Sequence, residues 1–113
     1  MTDCLFCAIA EGKIPSKKVY EDELVYAFRD INPQAKTHVL VIPKTHIGSC
    51  AEINESNSAL IARIFEVIPK IAEAEGLKNG FRVISNSGPD ACQSVHHLHF
   101  HILGGEQMSD KMA

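Results

Sequence analysis

Apolar positions along the chain recur with two different periods, and these divide it into short extended segments around one long amphipathic helix. Between Asn54 and Glu75, Leu60, Ile61, Ile64, Phe65, Ile68, Ile71 and Ala72 recur at helical spacing, which gathers them on a face broad enough to cover a sheet. Pro69 falls inside this stretch and predicts a kink or a break, because it has no N–H to donate; Gly76 supplies an end signal. Cys4 to Ala10 predicts a short helix, ended by the Gly12 region and Pro15. Val19-Tyr20 and Leu24 to Arg29 are rich in β-branched and aromatic residues, which favour extension, and predict two strands joined by the acidic turn Glu21-Asp22-Glu23. His38-Val39-Leu40-Val41-Ile42 predicts a third strand, stopped by Pro43. Phe81 to Ser85 predicts a fourth, and His97 to Leu103 a fifth, closed by Gly104-Gly105. Strands at both ends of the chain with one long helix between them predict an α+β domain. Its core is an antiparallel five-stranded sheet with one long and one short helix.

Composition narrows what such a domain does. With 113 residues, 45% of them hydrophobic and 22% charged, the chain is expected to form one domain, 1–113, with a real core. A net charge of −3 without any Lys/Arg cluster offers no field for a nucleic-acid polymer. No run of about 18 apolar residues predicts a membrane span. Met1-Thr2-Asp3-Cys4 carries neither a basic n-region nor an apolar h-region, so a cytoplasmic protein is expected. In that reducing setting the four cysteines are not a disulfide framework. Cys50 and Cys92 stand alone. Cys4 and Cys7 form a CxxC pair whose spacing suits a metal clip, a redox pair or simply two positions on a helical turn, and needs partners to be decided.

Four of the six histidines fall in the run His96-His97-Leu98-His99-Phe100-His101. In an extended strand His97, His99 and His101 point one way while Leu98, Phe100 and Ile102 point the other, so the apolar set packs under the helix and the imidazoles form a row. That row spans roughly 13 Å at about 3.4 Å per residue. Zinc holds imidazole nitrogens at about 2.0–2.1 Å, so one ion shared by all three is disfavoured. A neutral imidazole is instead a nucleophile at neutral pH, able to attack phosphorus and to leave again. The central His99 has neighbours on both sides to orient it. Upstream, Ser85-Asn86-Ser87-Gly88 and Gln93-Ser94 provide hydroxyls, amides and backbone N–H groups for a phosphate. His96 alone needs no functional role.

The run His97-Leu98-His99-Phe100-His101-Ile102-Leu103 resembles the histidine triad pattern, three histidines alternating with apolar residues, and Gly104-Gly105 follows as in the Hint-like branch of that family. The likeness continues in Ile14-Pro15, Tyr20-Glu21-Asp22, Phe28-Arg29-Asp30-Ile31-Asn32-Pro33-Gln34-Ala35, Thr37 to Lys44 and Gln93-Ser94-Val95. The resemblance implies an enzyme that hydrolyses purine nucleoside 5′-phosphoramidates through a nucleotidyl-histidine, as a homodimer with the sheet continued across two subunits. It implies His99 as nucleophile, His101 and His38 beside the phosphate, and Ser94 at the departing group. Asp30 then corresponds to the ribose acceptor, and Leu5, Phe6, Ile9, Phe28 and Ile31 to the surroundings of the base. Asn86 and Gln93 match phosphate-side polar positions. Alternatives in the same framework are a dinucleotide polyphosphate hydrolase or nucleotidyl transferase, and a nucleotide-binding scaffold with little turnover.

The resemblance also supplies partners for the CxxC pair. Many bacterial-type members hold a structural zinc through positions filled here by Cys4, Cys7, His46 and His97, a closed Cys2His2 set that leaves His99 free of ligation. Three departures stand out. Cys92 replaces the usual Gly before Gln93-Ser94, where a Cβ narrows the approach to ligand; Glu106 replaces a basic residue; and the tail Ser109 to Ala113 lacks the aromatic, proline-containing end of eukaryotic members.

Overall fold

The computed structural model describes residues 4–112. Met1, Thr2, Asp3 and Ala113, which the single-domain reading includes, lie outside the described residues. The elements are α1 (Leu5–Ala10), β1 (Lys18–Glu21), β2 (Val25–Arg29), β3 (Thr37–Pro43), α2 (Ser58–Ala74), β4 (Phe81–Ile84) and β5 (Phe100–Gly104). The five strands form one sheet in the order β1-β2-β3-β5-β4, with every neighbouring pair antiparallel. This is the expected α+β architecture.

The period of two gives the sheet two differently covered faces. Val25 and Ala27 of β2, Val39 and Val41 of β3, and Phe100 and Ile102 of β5 pack against Ile64, Val67, Ile68 and Ile71 of α2, with Leu98 beside them. Burying each such side chain contributes about 1.5–3 kcal/mol. The alternate positions, Tyr26, Phe28, Leu40 and Ile42, turn to the opposite face and meet Phe6 and Ile9 of α1. The β1–β2 turn is held by Asp22. Burial raises its pKa, but N–H groups of Leu24 and Val25, the Tyr20 hydroxyl and Arg63 outweigh this and hold it down to about 2.

Several boundaries differ from the sequence reading. Strand β3 runs from Thr37 through Pro43, which pairs with Val25 as its last member instead of stopping the strand before it. Helix α2 begins at Ser58, since Asn54 to Asn57 form a side-chain-bonded turn ahead of it. It then continues unbroken through Pro69. Pro69 and the residue one turn earlier, Phe65, both sit on the exposed side, so the carbonyl that loses its donor faces water. Phe65 is accordingly 48% exposed rather than in the core, and Val67 takes the buried place. Strand β5 begins at Phe100 and not at His97. Ahead of it, the Leu98 N–H bonds the Ile47 carbonyl at 2.6 Å and the His97 N–H bonds the Val95 carbonyl at 2.9 Å, so this backbone is diverted from the sheet. Gly76, at φ +73, ends α2 in the left-handed conformation that glycine tolerates best.

Candidate active site and metal cluster

On the face that carries α1, the β3–β5 register sets Leu40 opposite His101 and His38 opposite Leu103, which makes His38 and His101 diagonal neighbours. His38 Nε2 lies 2.8 Å from His101 Nδ1, and the His99 and His101 ring centroids are 5.1 Å apart. The alternation read from the sequence holds: Leu98, Phe100 and Ile102 are buried in the core under α2, and the histidines turn the other way.

Backbone groups fix the tautomers of these rings. A carbonyl only accepts, so His99 Nδ1, 2.6 Å from the His97 carbonyl, carries its ring proton, and Nε2 keeps the lone pair. An amide N–H only donates, so His38 Nδ1, 3.0 Å from the Gln34 N–H, is an acceptor, and Nε2 holds the proton. That proton is donated to His101 Nδ1, which leaves His101 Nε2 as an N–H donor. The site therefore offers a lone pair on His99 beside an N–H on His101. Burial pushes His101 down to about 4, with His99 and His38 adding in the same direction, and burial lowers His38 against the opposing pull of Asp30. Burial thus favours the neutral form of His38 and His101. Ser85, just past the end of β4, donates to the His99 carbonyl at 2.9 Å and holds the same residue.

Two cavities meet at these groups. One, of about 670 Å³, is lined by His38, His99 and His101 with Asp30, Asn86 and Ser94; Asn32, Gln34 and Cys92 complete it. The other, of about 680 Å³, has Ile9, Phe28, Ile31 and Pro33 among its walls. Asp30 and His38 line both. The larger cleft thus has an apolar end and an imidazole end with a carboxylate at the junction. Asp30 lies 3.4 Å from His38 Nε2, and its other oxygen accepts the Asn32 N–H at 2.8 Å.

Phe6 stands behind the cleft, edge-on to Phe28 at 5.4 Å and to His99 at 5.1 Å between centroids. Leu5 is not brought to the apolar end; it lines a separate groove with Ser94, His96 and Glu52. Gln93 turns away from the imidazoles and braces its own loop, accepting from the Gly88 N–H and donating to the carbonyls of Gly48 and Val95. Cys92 lines the imidazole end at φ 57 and ψ 40, the left-handed conformation, which is why glycine suits that position. Cys50 is exposed. Gln34, Asn32 and Pro43 were not singled out from the sequence as site residues. The first two lie in the Asp30-to-Ala35 block of the family likeness, but Gln34 acts on His38 through its backbone, which no side-chain pattern signals.

Cys4, Cys7, His46 and His97 converge on the other side of His99. Their ligand atoms all lie within 4.8 Å of one another, with Cys4 Sγ to His97 Nδ1 at 3.2 Å, Cys7 Sγ to His46 Nδ1 at 3.4 Å and Cys7 Sγ to His97 Nδ1 at 3.5 Å. A tetrahedral zinc, with bonds of about 2.3 Å to sulfur and about 2.0–2.1 Å to nitrogen, holds sulfur and nitrogen roughly 3.5 Å apart. His97 Nε2 donates to the Pro43 carbonyl at 2.8 Å, leaving the Nδ1 lone pair aimed at the thiols, the outer hydrogen bond that metal-bound histidines use. Burial, then the Cys4 thiol beside it, pushes Cys7 up to about 11, and burial pushes His97 down to about 4. Two sulfurs and two imidazole nitrogens at these separations are a donor set that fits a tetrahedral zinc, to which the cysteines would bind as thiolates. Asp30, His38 and His101 also gather within 4.8 Å. There, however, the Gln34 N–H already occupies the Nδ1 lone pair of His38, so its Nε2 can bind a metal only as an imidazolate. That cluster is a hydrogen-bonded chain and not a metal site.

Among the described residues no helix is long and apolar enough to cross a membrane. The HIT domain family matches residues 11–108. A 14 kDa zinc-binding protein of Zea mays is 49% identical over 93% of this chain and 84% of its own length. Adenylylsulfatase HINT1 of Arabidopsis thaliana is 42% identical over 93% of this chain and 73% of its own. A HIT family hydrolase from Clostridium thermocellum superposes with a TM-score of 0.97 at 46% identity, covering 100% of this chain and 99% of that one.

Proposed function

The chain belongs to the HIT domain family, and on that premise we propose that it hydrolyses purine nucleoside 5′-phosphoramidates, or related nucleoside monophosphate derivatives, through a nucleotidyl-His99 intermediate. The observation that carries the reading is the His99 tautomer: its proton is tied to the His97 carbonyl at 2.6 Å, so Nε2 keeps an unshared pair at the cavity. In the first step that pair attacks phosphorus, the bond from phosphorus to the leaving nitrogen breaks, and the amine departs with a proton that the Ser94 hydroxyl relays to it from solvent. The His101 N–H and the Asn86 amide stabilise the phosphoryl oxygens as charge shifts onto them. In the second step water attacks phosphorus and gives up a proton to solvent through the Ser94 hydroxyl, the bond to His99 breaks to return the Nε2 lone pair, and a nucleoside monophosphate leaves.

Asp30 accepts the ribose hydroxyls at the junction, with the base between Ile9, Phe28 and Ile31. The names of the relatives support a hydrolase acting on an adenylyl compound; the phosphoramidate leaving group is our own reading. Zinc in the Cys4, Cys7, His46 and His97 cluster supplies a fixed cross-link and takes no chemical step, as its closed ligand set requires. We place the protein in the cytoplasm, where both thiols stay reduced, and as a homodimer with the sheet continued across the two subunits. Light scattering behind size exclusion tests the dimer.

The decisive experiment is rapid acid or base quench of adenosine 5′-phosphoramidate turnover, with mass spectrometry of the peptide carrying residues 97–101. Adenylylated His99 is expected in the wild type, and His99→Ala is expected to lose at least about a thousandfold in turnover while still binding AMP. Unchanged turnover in His99→Ala overturns the proposal.

A further inference from the structure

His97 has two attachments of different kinds. Its ring is held at both nitrogens, Nε2 by the Pro43 carbonyl and Nδ1 toward the thiols of Cys4 and Cys7, while its carbonyl receives the His99 Nδ1 proton. A ring pinned at both nitrogens leaves little freedom for its own backbone, and so fixes where that carbonyl points.

A second route joins the same two places. Helix α1 has only six residues, too short to persist alone. Cys4 caps its N-terminus and Cys7 lies in its first turn, and between them Phe6 packs edge-on to both His97 at 6.1 Å and His99 at 5.1 Å. The segment bearing His46 is bolted to the same stretch by the Leu98 N–H to the Ile47 carbonyl. Every part of the cysteine–histidine cluster is therefore one contact away from His99, though none of its four ligands reaches the cavity at the imidazole end.

We infer that the Cys4, Cys7, His46 and His97 clip controls the nucleophile: when a metal joins these residues, His97 acts as a positioning residue whose carbonyl holds His99 in its Nδ1–H tautomer, and without the metal that hold is lost. This rests on the readings of His99 as nucleophile and of the cluster as a metal clip. Groups that orient metal-linked side chains typically change activity 10–100-fold, and a fall of that size is expected here on metal removal. The consequence is an enzyme whose turnover reports the state of a cluster that does no chemistry.

The test is nuclear magnetic resonance of protein with 15N-labelled histidine, following the His99 Nδ1–H signal, assigned by its absence in His99→Ala. In the zinc-loaded wild type the signal is expected; a strong chelator should abolish it, and about one equivalent of Zn²⁺ should restore it together with turnover. Two variants keep the test open if the metal-free wild type unfolds by circular dichroism. With zinc present, His97→Cys retains a fourth ligand and should rescue the signal and most of the turnover that His97→Gln loses. Persistence of the signal in folded, metal-free protein overturns the inference. So does equal loss in His97→Cys and His97→Gln, which would assign the effect to the ring itself. The signal is read without substrate, so a wild type inert on every phosphoramidate defeats the functional reading and leaves this one standing or falling by itself.

Discussion

His38 and His101 are 63 residues apart in the chain and 2.8 Å apart between ring nitrogens, and the direction of the proton between them is set by a backbone N–H, that of Gln34, on the far side of the His38 ring. The loop after β2 thereby decides which nitrogen of a β5 histidine carries the ring proton. Its influence is electrostatic and directional, and it involves no contact with the reacting atoms.

If that chain matters, its two histidines should differ in a graded way. His101→Ala removes a donor aimed at the phosphoryl oxygens and is expected to lower kcat about 10²-fold. His38→Leu leaves the donor but frees its tautomer, so a loss of roughly tenfold is expected, about 1.4 kcal/mol. His38→Gln offers an amide N–H in place of the imidazole and should recover part of that loss. The measurement is kcat at neutral pH, with AMP affinity as control; an unaffected His38→Leu would remove His38 from the chain.

Cys92 is the non-glycine residue with positive φ among those described, at 57°. Placing a Cβ in the left-handed region costs about 1–2 kcal/mol, while glycine loses about 0.5–1 kcal/mol more backbone freedom on folding. Cys92→Gly should therefore stabilise the fold by up to about 1 kcal/mol in urea melts, and lower KM for bulky leaving groups by opening the cavity wall. A net destabilisation of Cys92→Gly would show that the thiol makes packing contacts that outweigh its backbone cost.

Pro69 offers a simpler test. It leaves an outward-facing carbonyl of α2 without a donor, and a proline inside a helix costs about 3 kcal/mol against alanine. Its stiffening of the unfolded chain returns about 0.4–1 kcal/mol. Pro69→Ala is expected to raise stability by about 2–2.5 kcal/mol without moving kcat. No change in the melt would mean that the exposed turn is already relaxed around the proline.

What was legible in the sequence was whatever side chains express by period. The alternation of Leu98, Phe100 and Ile102 against His97, His99 and His101 assigned both faces of β5, and Ile64, Ile68 and Ile71 located the buried stripe of α2. Once the family resemblance supplied His46 and His97, the four ligands of the clip could also be named, and they meet in space. Backbone commitments were not legible. Nothing in the side chains announces that the Leu98 N–H goes to Ile47, which starts β5 at Phe100, or that Pro43 and Gln34 fix imidazoles through main-chain groups. Leu5 and Gln93 carry residue types that suit a ligand, yet face a separate groove and their own loop.

The buried neutral imidazoles make stability depend on acidity in a stated window. Burial holds His101 near 4 and lowers His38 below the ordinary 6.5, so between these values the unfolded chain binds protons that the folded one does not. Stability therefore rises with pH there: it is complete above about 6.5 and is lost as pH falls through the folded values, with a slope of up to about 1.4 kcal/mol per pH unit for each such proton. Asp22, held down to about 2 from 3.8, behaves separately, contributing stability that is lost only below the His window. Thermal melts of zinc-loaded protein should fall steadily from pH 6.5 to 4.5, and His101→Asn, which has no proton to gain, should flatten part of that slope while leaving the Asp22 step below pH 4 in place. A wild-type melting temperature that stays level from pH 6.5 to 4.5 would mean that these rings are hydrated and free to charge, and the fixed tautomers on which the proposed chemistry depends would go with it.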